Sequence, residues 1–299
     1  ADAVRRRVPE AEIAFAGTRE RMEWRAVPKA GYTIHPITVS GFHRGQPLRN
    51  LSFPFKLMRG FAESWRLVSS FAPDVVVGTG GYVSGPVLLA ASLQGRPVVI
   101  QEQNAYAGAT NRLMAKRAAR IHVAFEEAKA YFPDGKSVLS GNPTRDELRH
   151  AGRDEGRRFY DVPSEASLLF VFGGSLGSAA LNEAMEKHLR ALLETGPETG
   201  DVYVVWQTGN RYYERLKARV PEHPRLRLLE YVDRMDLTYA AADLALCRAG
   251  AITCSELMVT GTPSILVPSP NVAEDHQTKN AESMQKAGAA VLLPEARLD

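Results

Sequence analysis

Short runs of Val, Ile, Leu and Ala recur along the whole of this 299-residue chain, and few of them alternate apolar with polar residues. A strand that is apolar at successive positions must be buried on both faces, as in parallel sheets covered by helices. The runs are Glu12–Ala16, Thr33–Ile37, Val75–Val77, Val98–Ile100, Ile121–Ala124 and Val138–Ser140, then Leu168–Phe172, Val202–Gln207, Arg227–Leu229, Leu244–Cys247, Ser264–Val267 and Ala290–Leu293. Segments of helical pattern separate them. Parallel strands joined by helices need right-handed crossovers, so the pattern predicts doubly wound α/β sheets.

A chain of this length exceeds one ordinary core and suits two domains. Gly141-Asn142-Pro143-Thr144-Arg145 closes one strand, and a charged helix leads from it to Asp161-Val162-Pro163-Ser164. The reading is therefore an N-terminal domain over residues 1–145, a connection over 146–165 and a C-terminal domain over 166–299. The halves echo each other. Asp74–Val77, Gly80-Gly81, a small-residue helix and Gly95-Arg96-Pro97 before Val98–Ile100 match Asp243–Leu246, Arg248-Ala249-Gly250, a helix and Gly261-Thr262-Pro263 before Ser264–Leu266. Two such halves facing each other place ligands at the carboxyl ends of their strands.

The ends suggest a piece of a longer protein. Ala1–Val8 reads as the tail of an amphipathic helix, so an opening strand and its loop are expected before Ala1, and a further helix after Ala289–Leu293. The composition, 44% hydrophobic and 24% charged, is that of a globular protein, and no apolar stretch is long enough to cross a bilayer. A net charge of +3 is too small to point to nucleic acid. The two cysteines, Cys247 and Cys254, have neither zinc-ligand spacing nor the density of a disulfide framework, and read as reduced and structural.

Two glycine turns carry the chemistry. Phe172-Gly173-Gly174-Ser175-Leu176-Gly177-Ser178 runs from a strand into the helix Ala179–Leu193. Glycines let backbone N–H groups close on an anion at the positive end of a helix. The alternative for this turn alone is a tight strand-to-helix connection; it is neither a Walker A loop nor a dinucleotide fingerprint. The second turn is Arg248-Ala249-Gly250-Ala251-Ile252-Thr253-Cys254-Ser255-Glu256. Here Arg248 can neutralise a diphosphate, the amides of Ala251–Thr253 can hold its oxygens, and Glu256 can accept from ribose hydroxyls. The plainer role for Glu256 is to complement the helix dipole. Glu230–Met235 offers backbone groups and apolar side chains to a flat base, or packs Tyr231 and Met235 into core. In Glu274-Asp275-His276-Gln277, Gln277 shares a helix face with Asn280, a pair suited to sugar hydroxyls. His276 lacks a partner at metal-ligand spacing, and no Asp-x-Asp occurs, so neither a metal nor another cofactor is expected.

In the first half, Gly80-Gly81-Tyr82-Val83-Ser84-Gly85-Pro86 opens a helix, and Glu102-Gln103-Asn104 follows a strand. Glu102 is a candidate general base and Asn104 a candidate sugar ligand; capping of the next helix is the alternative. Leu48–Trp65 mixes Phe53, Phe55, Phe61 and Trp65 with Arg and Lys, which suits an anionic membrane surface or a helix packing its aromatics inward.

Taken together, Gly80–Pro86, Glu102-Gln103-Asn104, Gly141-Asn142-Pro143-x-Arg145, Gly173-Gly174-Ser175-x-Gly177, Arg248-x-Gly250-Ala251-x-Thr253-x-Ser255-Glu256 and Gln277-x-x-Asn280-Ala281 resemble the MurG family of bacterial N-acetylglucosaminyltransferases over nearly the whole chain. The resemblance implies the GT-B architecture of two Rossmann-like domains. It also implies inverting transfer of N-acetylglucosamine from UDP to the muramyl 4-hydroxyl of lipid I, giving lipid II for peptidoglycan. By it, Val232 reads uracil through its backbone, and Ala251, Ile252, Thr253, Cys254, Ser255 and Glu256 hold diphosphate and ribose. Ser175 and Arg145 contact phosphate or sugar, and Asn104 and Gln277 bind the N-acetylglucosamine. Gly80, Gly81, Tyr82 and Ser84 face the acceptor. The implied location is peripheral, on the cytoplasmic face of the inner membrane, among other cell-wall synthesis proteins. The family opens with a Gly-Gly-Thr-Gly-Gly-His loop whose histidine is a leading candidate base; that loop is not within residues 1–299, and Glu102 is the substitute this sequence offers. A UDP-N-acetylglucosamine 2-epimerase, another GT-B transferase or a non-catalytic UDP-sugar-binding scaffold are the alternatives.

Overall fold

The computed structural model describes residues 1–39, 53–194 and 200–298. The chain divides into two compact units, Ala1–Glu102 with Ala107–Ser140, and Gln103–Tyr106 with Gly141–Asp299. Every strand expected from the apolar runs is present, with ends shifted by a residue or two.

In the first unit, β1 (Ala14–Gly17) pairs in parallel with β2 (Thr33–Pro36). A second parallel sheet follows, in the order β3 (Val76–Gly78), β4 (Val98–Glu102), β5 (Arg120–Val123) and β6 (Ser137–Leu139). Helices α1 (Asp2–Arg7) and α2 (Glu23–Lys29) flank β1, and α3 (Phe53–Phe71) precedes β3. Between β3 and β4 runs α4 (Gly81–Leu93), with a buried face of Val87, Leu88, Ala90 and Ala91. These residues join Val98, Ile100, Ile121 and Val123 of the sheet and Met114 of α5 (Ala109–Met114) in one core. Val87–Leu93 is apolar at nearly every position because α4 packs on the sheet and on α3.

The second unit holds six parallel strands in the order β12-β11-β10-β7-β8-β9. They are β7 (Ser167–Phe172), β8 (Val202–Gln207), β9 (Leu226–Leu229), β10 (Leu244–Cys247), β11 (Ser264–Leu266) and β12 (Ala290–Leu292). The order reverses between β7 and β10, which are hydrogen-bonded neighbours, Phe172 opposite Cys247. Open α/β sheets bind ligands at such a reversal, beyond the carboxyl ends of the strands. α7 (Ala179–Leu193) and α8 (Tyr213–Lys217) bury Met185, Leu189, Leu193 and Leu216 against Val171, Val204 and Trp206. Inside that core the Trp206 indole N–H donates to Asn182 Oδ1 at 2.9 Å, and Asn182 Nδ2 donates to Thr208 O, so the buried polar atoms are paired.

Residues 146–165, read from sequence as a connection, fold into the second unit. They form a short turn and α6 (Arg153–Tyr160), which packs on α9 (Met235–Ala241). The cause is Arg157, 5% exposed, which donates to the carbonyls of Pro163, Ser164 and Ala166 and pairs with Asp243 at 2.8 Å. A charge that deep needs partners; Nη1 and Nη2 have them, while Nε has none among the described residues, and the partners it does have fix the segment in place.

Candidate functional site

The two glycine turns follow β7 and β10, at the reversal of the sheet. After β7, Ser178 caps α7 by accepting from Leu181 N–H, while Asn182 N–H makes the first intrahelical bond to Ser178 O. The turn is held by contact of backbone on backbone. Gly177, at φ +77°, would drive a Cβ to 2.1 Å from Thr208 O, and Gly209, at φ +83°, would drive one to 2.2 Å from Gly177 N. Only glycine meets both demands at these positions. Ser175 stands exposed on the outer side of the turn.

After β10, α10 (Ala251–Thr260) starts at Gly250 without a side-chain cap, and its first intrahelical bond is Cys254 N–H to Gly250 O. The amides of Ala251, Ile252 and Thr253 therefore point beyond the helix, the arrangement that binds anions. Cys254 and Ser255, expected among the ligand contacts, lie behind them and are buried. The Ser255 hydroxyl donates to Ala251 O and accepts from Asn142 Nδ2, so it braces the turn from inside.

Arg248 also departs from expectation. Its guanidinium donates to Val267 O and Pro268 O at 3.1 and 3.2 Å and pairs with the Glu295 carboxylate. The carbonyls left at the end of β11 need a donor, and Arg248 supplies it; the side chain ties two loops together rather than standing open to an anion. Arg145, 54% exposed, is the more accessible cation, with Nη2 3.6 Å from Glu256 Oε1.

Glu256 is buried in α10, and its second oxygen, Oε2, accepts from Tyr239 Oη at 3.1 Å. Tyr239 was not singled out from sequence; it is 2% exposed, and burial together with the Glu256 charge pushes its hydroxyl well above the usual range. A cavity of about 330 Å³ opens beside Arg145, lined also by Glu147, Leu148, Asp233, Arg234 and Asp236. A hydrogen bond from Arg234 holds the Asp236 carboxyl below its usual range, against the effect of burial. The larger hollow, about 580 Å³, lies against the outer strand β9, away from the reversal, and is lined by residues such as Tyr213, Val220 and Leu228.

Val232, expected to read a base through its backbone, has its N–H engaged by Gln207 Oε1 at 2.9 Å. That amide is thus not open to a ligand. Gln207 ends β8, is 3% exposed and donates from Nε2 to Gly174 O at 3.0 Å. It links the first glycine turn to the Val232 loop, a role the sequence signals only as a polar residue closing an apolar strand. In that loop Met235 is core and Tyr231 is 52% exposed.

Gln277 opens α11 (His276–Lys286) and accepts from Ser269 N–H at 2.8 Å, leaving its amide nitrogen as the group that can donate. Asn280 is fully buried, accepts from Ala105 N–H, and donates to Asn104 Oδ1 and Ala249 O. Its amide is consumed in placing the Asn104 side chain, so the expected direct contact of Asn280 with sugar is replaced by a contact once removed. Asn142 holds the same segment through Gln103 O at 3.0 Å.

In the first unit Gly80, which precedes α4, and Gly81, its first residue, take φ +85° and +78°, Ser84 Oγ donates to Gly80 O, and Tyr82 is 60% exposed. Glu102 is 1% exposed, and its Oε2 accepts from Gly108 N–H at 2.9 Å and from Asn111 Nδ2 at 2.8 Å. So placed, Glu102 fastens the β4–α5 loop from within; burial removes the access a proton-abstracting base needs. The unprotonated thiols of Cys247 and Cys254 are suppressed by burial, the latter with its pKa pushed up to about 12.

The chain matches the glycosyltransferase family 28 N-terminal domain over residues 1–123 and the family's C-terminal domain over residues 168–299. It is 60% identical over its full length to the UDP-N-acetylglucosamine--N-acetylmuramyl-(pentapeptide) pyrophosphoryl-undecaprenol N-acetylglucosamine transferase of Salinibacter ruber, covering 80% of that protein. With the protein of the same name from Porphyromonas gingivalis it shares 44% over 99% of this chain and 78% of the relative. Among solved structures, MurG of Acinetobacter baumannii superposes with a TM-score of 0.77 at 30% identity, covering 99% of this chain and 81% of that one. A UDP-GlcNAc 2-epimerase from Neisseria meningitidis, at 12% identity and a TM-score of 0.60 over 95% of this chain and 79% of its own, shares the fold alone.

Proposed function

Since the chain belongs to glycosyltransferase family 28, with the GT-B fold of parallel-sheet α/β domains, we propose that it transfers N-acetylglucosamine from UDP-N-acetylglucosamine to the muramyl 4-hydroxyl of lipid I, giving lipid II. The observation that carries this reading is the set of groups gathered at the β7/β10 reversal: an open α10 N-terminus, a glycine turn, and one buried carboxylate at Glu256. The amides of Ala251–Thr253 take the diphosphate and stabilise the charge that grows on UDP as the anomeric C–O bond breaks. The acceptor oxygen attacks from the opposite face, so the configuration inverts, and its proton passes to a base. Glu256 accepts from the ribose hydroxyls, Val232 meets uracil through its carbonyl, and Ser175 and Arg145 lie near phosphate or sugar. Asn104 and Gln277 bind the transferred sugar, with Asn280 holding Asn104. In the first unit Gly80, Gly81, Tyr82 and Ser84 face the acceptor pyrophosphate, and Glu102 keeps the neighbouring loop in shape.

The enzyme works from the cytoplasmic face of the membrane as a peripheral protein. Among the described residues no helix is long and apolar enough to cross a bilayer. On α3, Phe55, Leu57, Met58 and Trp65 are exposed beside Lys56, Arg59 and Arg66, which supports docking on anionic lipid, whereas Phe61 packs inward. Residues 48–52 of the expected patch lie outside the described residues.

The test is to incubate the full-length protein with UDP-N-acetylglucosamine, with and without a lipid I analogue. Acceptor-dependent release of UDP and formation of the disaccharide product are expected. UDP-N-acetylmannosamine formed from the donor alone would make the protein an epimerase, and donor binding without turnover would make it a scaffold.

A further inference from the structure

We propose that Tyr239 is a positioning residue for the nucleotide donor: its hydroxyl fixes the Glu256 carboxylate so that the acid selects a ribose diol. The inference rests on the reading of Glu256 as the ribose ligand and assigns the residue that makes that ligand selective.

A carboxylate on a helix has freedom about its side-chain torsions, and an outward oxygen that accepts from vicinal hydroxyls needs one orientation. In Glu256 the two oxygens have different surroundings. Oε2 faces inward and accepts from Tyr239 at 3.1 Å; Oε1 faces Arg145, whose side chain is half exposed. The inward partner is itself buried and closely packed. The Tyr239 ring lies edge-on to Phe170 and Phe172, with centroids 5.7 and 6.0 Å away at 81° and 82°, and those two rings stack on each other at 4.4 Å. Phe170 and Phe172 belong to β7 and Tyr239 to α9, so sheet, helix and carboxylate are in register through one aromatic cluster. The direction of the bond is also settled. With Tyr239 buried beside an anion, loss of its proton is disfavoured, so it remains the donor and Glu256 the acceptor.

Among the described residues the Tyr239 hydroxyl donates to Glu256 Oε2, and its ring packs on Phe170 and Phe172. A phenyl ring would fill the same space against Phe170 and Phe172, and would leave Glu256 Oε2 without its inner donor. The carboxylate then turns freely, and the entropy of ordering it falls on the ligand. That cost arises only when the ligand has hydroxyls to be ordered against.

The experiment is calorimetry with UDP and with 2′,3′-dideoxy-UDP on the full-length protein, on Tyr239→Phe, on Glu256→Gln and on the double variant, with thermal melts to show that each is folded. The parent is expected to prefer UDP by roughly tenfold or more, the scale of a hydrogen bond to a charged group. In Tyr239→Phe that preference shrinks several-fold while affinity for dideoxy-UDP is unchanged, and the double variant loses no more preference than Glu256→Gln alone. A parent that does not prefer UDP would refute the ribose reading of Glu256. A parent that does, with a Tyr239→Phe variant that keeps the full preference, or that loses both ligands equally, would refute the role of Tyr239 and leave the ribose reading standing. Losses that add in the double variant would likewise make Tyr239 a packing residue only.

Discussion

The crossovers β3–α4–β4 and β10–α10–β11 share one local plan: strand, glycine turn, helix, Gly-x-Pro, strand. They differ in what surrounds the turn. β10 lies inside its sheet, between β11 and β7, so the α10 turn collects groups from both sides: the Gly173–Ser178 turn after β7, the Val267 carbonyl after β11, and Glu256 with Tyr239 behind. Among the described residues β3 is hydrogen-bonded to β4 alone, and the α4 turn has Asn111 of α5 beside Gly80; Asn111 donates in turn to Glu102. Among the described residues, equal local sequence grammar thus meets different surroundings, because the strands on either side of a turn bring their own loops to it.

The comparison can be broken most forcefully at the glycines. Gly177→Ala must place a Cβ 2.1 Å from Thr208 O in a left-handed residue, whereas at Gly81, also left-handed, nothing lies within 4 Å. Gly177→Ala should cost about 3 kcal/mol in equilibrium unfolding, strain and overpacking together, and Gly81→Ala about 1 kcal/mol. Equal costs would show that the first turn relaxes.

The two acids behind the turns come next. Glu256→Ala should weaken UDP-N-acetylglucosamine binding by about 1–3 kcal/mol in calorimetry. Glu102→Ala should leave donor affinity unchanged but lower the stability of the first unit by about 1–3 kcal/mol, because Gly108 N–H loses its acceptor and Asn111 Nδ2 is left with the Gln101 carbonyl at 3.4 Å. A smaller effect, about 1 kcal/mol of donor affinity, is expected for Gln207→Leu, which frees Gly174 O and Val232 N–H in one step. Replacing Phe55 and Trp65 with serine should reduce sedimentation with anionic vesicles and leave donor binding intact; unchanged partitioning would remove α3 from the membrane contact. Least of all should happen at the cysteines. A folded pKa raised to about 12 keeps the Cys254 thiol protonated at pH 8, and Cys247 is raised in the same direction, so iodoacetamide followed by mass spectrometry should label neither until the protein is unfolded.

The strands were legible because burial on both faces leaves a continuous apolar signature, and Leu168–Phe172 or Leu244–Cys247 needs no other context. The glycine turns were legible for a similar reason: Gly173, Gly177 and Gly250 mark places where the chain turns from strand to helix. Side-chain roles were less so. Arg248 and Asn280 carry the right chemistry for a ligand, but carbonyls and amides from distant segments claim them first, and sequence spacing does not reveal those claims. Gln207 is 25 residues from Val232 and 33 from Gly174, and Tyr239 is 17 from Glu256. Such pairs exist only once the sheet has brought their strands together. Residues 146–165 misled through composition: charge and proline suggested a connection, yet a single buried Arg157 folds the segment in.

Residues 103–106 have a consequence for how the protein can be divided. Although they follow β4 of the first unit, they are compact with the second, where Ala105 N–H and the Asn104 amide satisfy Asn280, and Gln103 O satisfies Asn142. The backbone passes from one unit to the other after Glu102, after Tyr106 and after Ser140. A single cut at Gly141 therefore yields a C-terminal fragment with a four-residue hole beside α11, and a hybrid that joins the front of one relative to the back of another inherits a mismatched plug. A transplantable donor-binding half has to bring its own copy of that tetrapeptide.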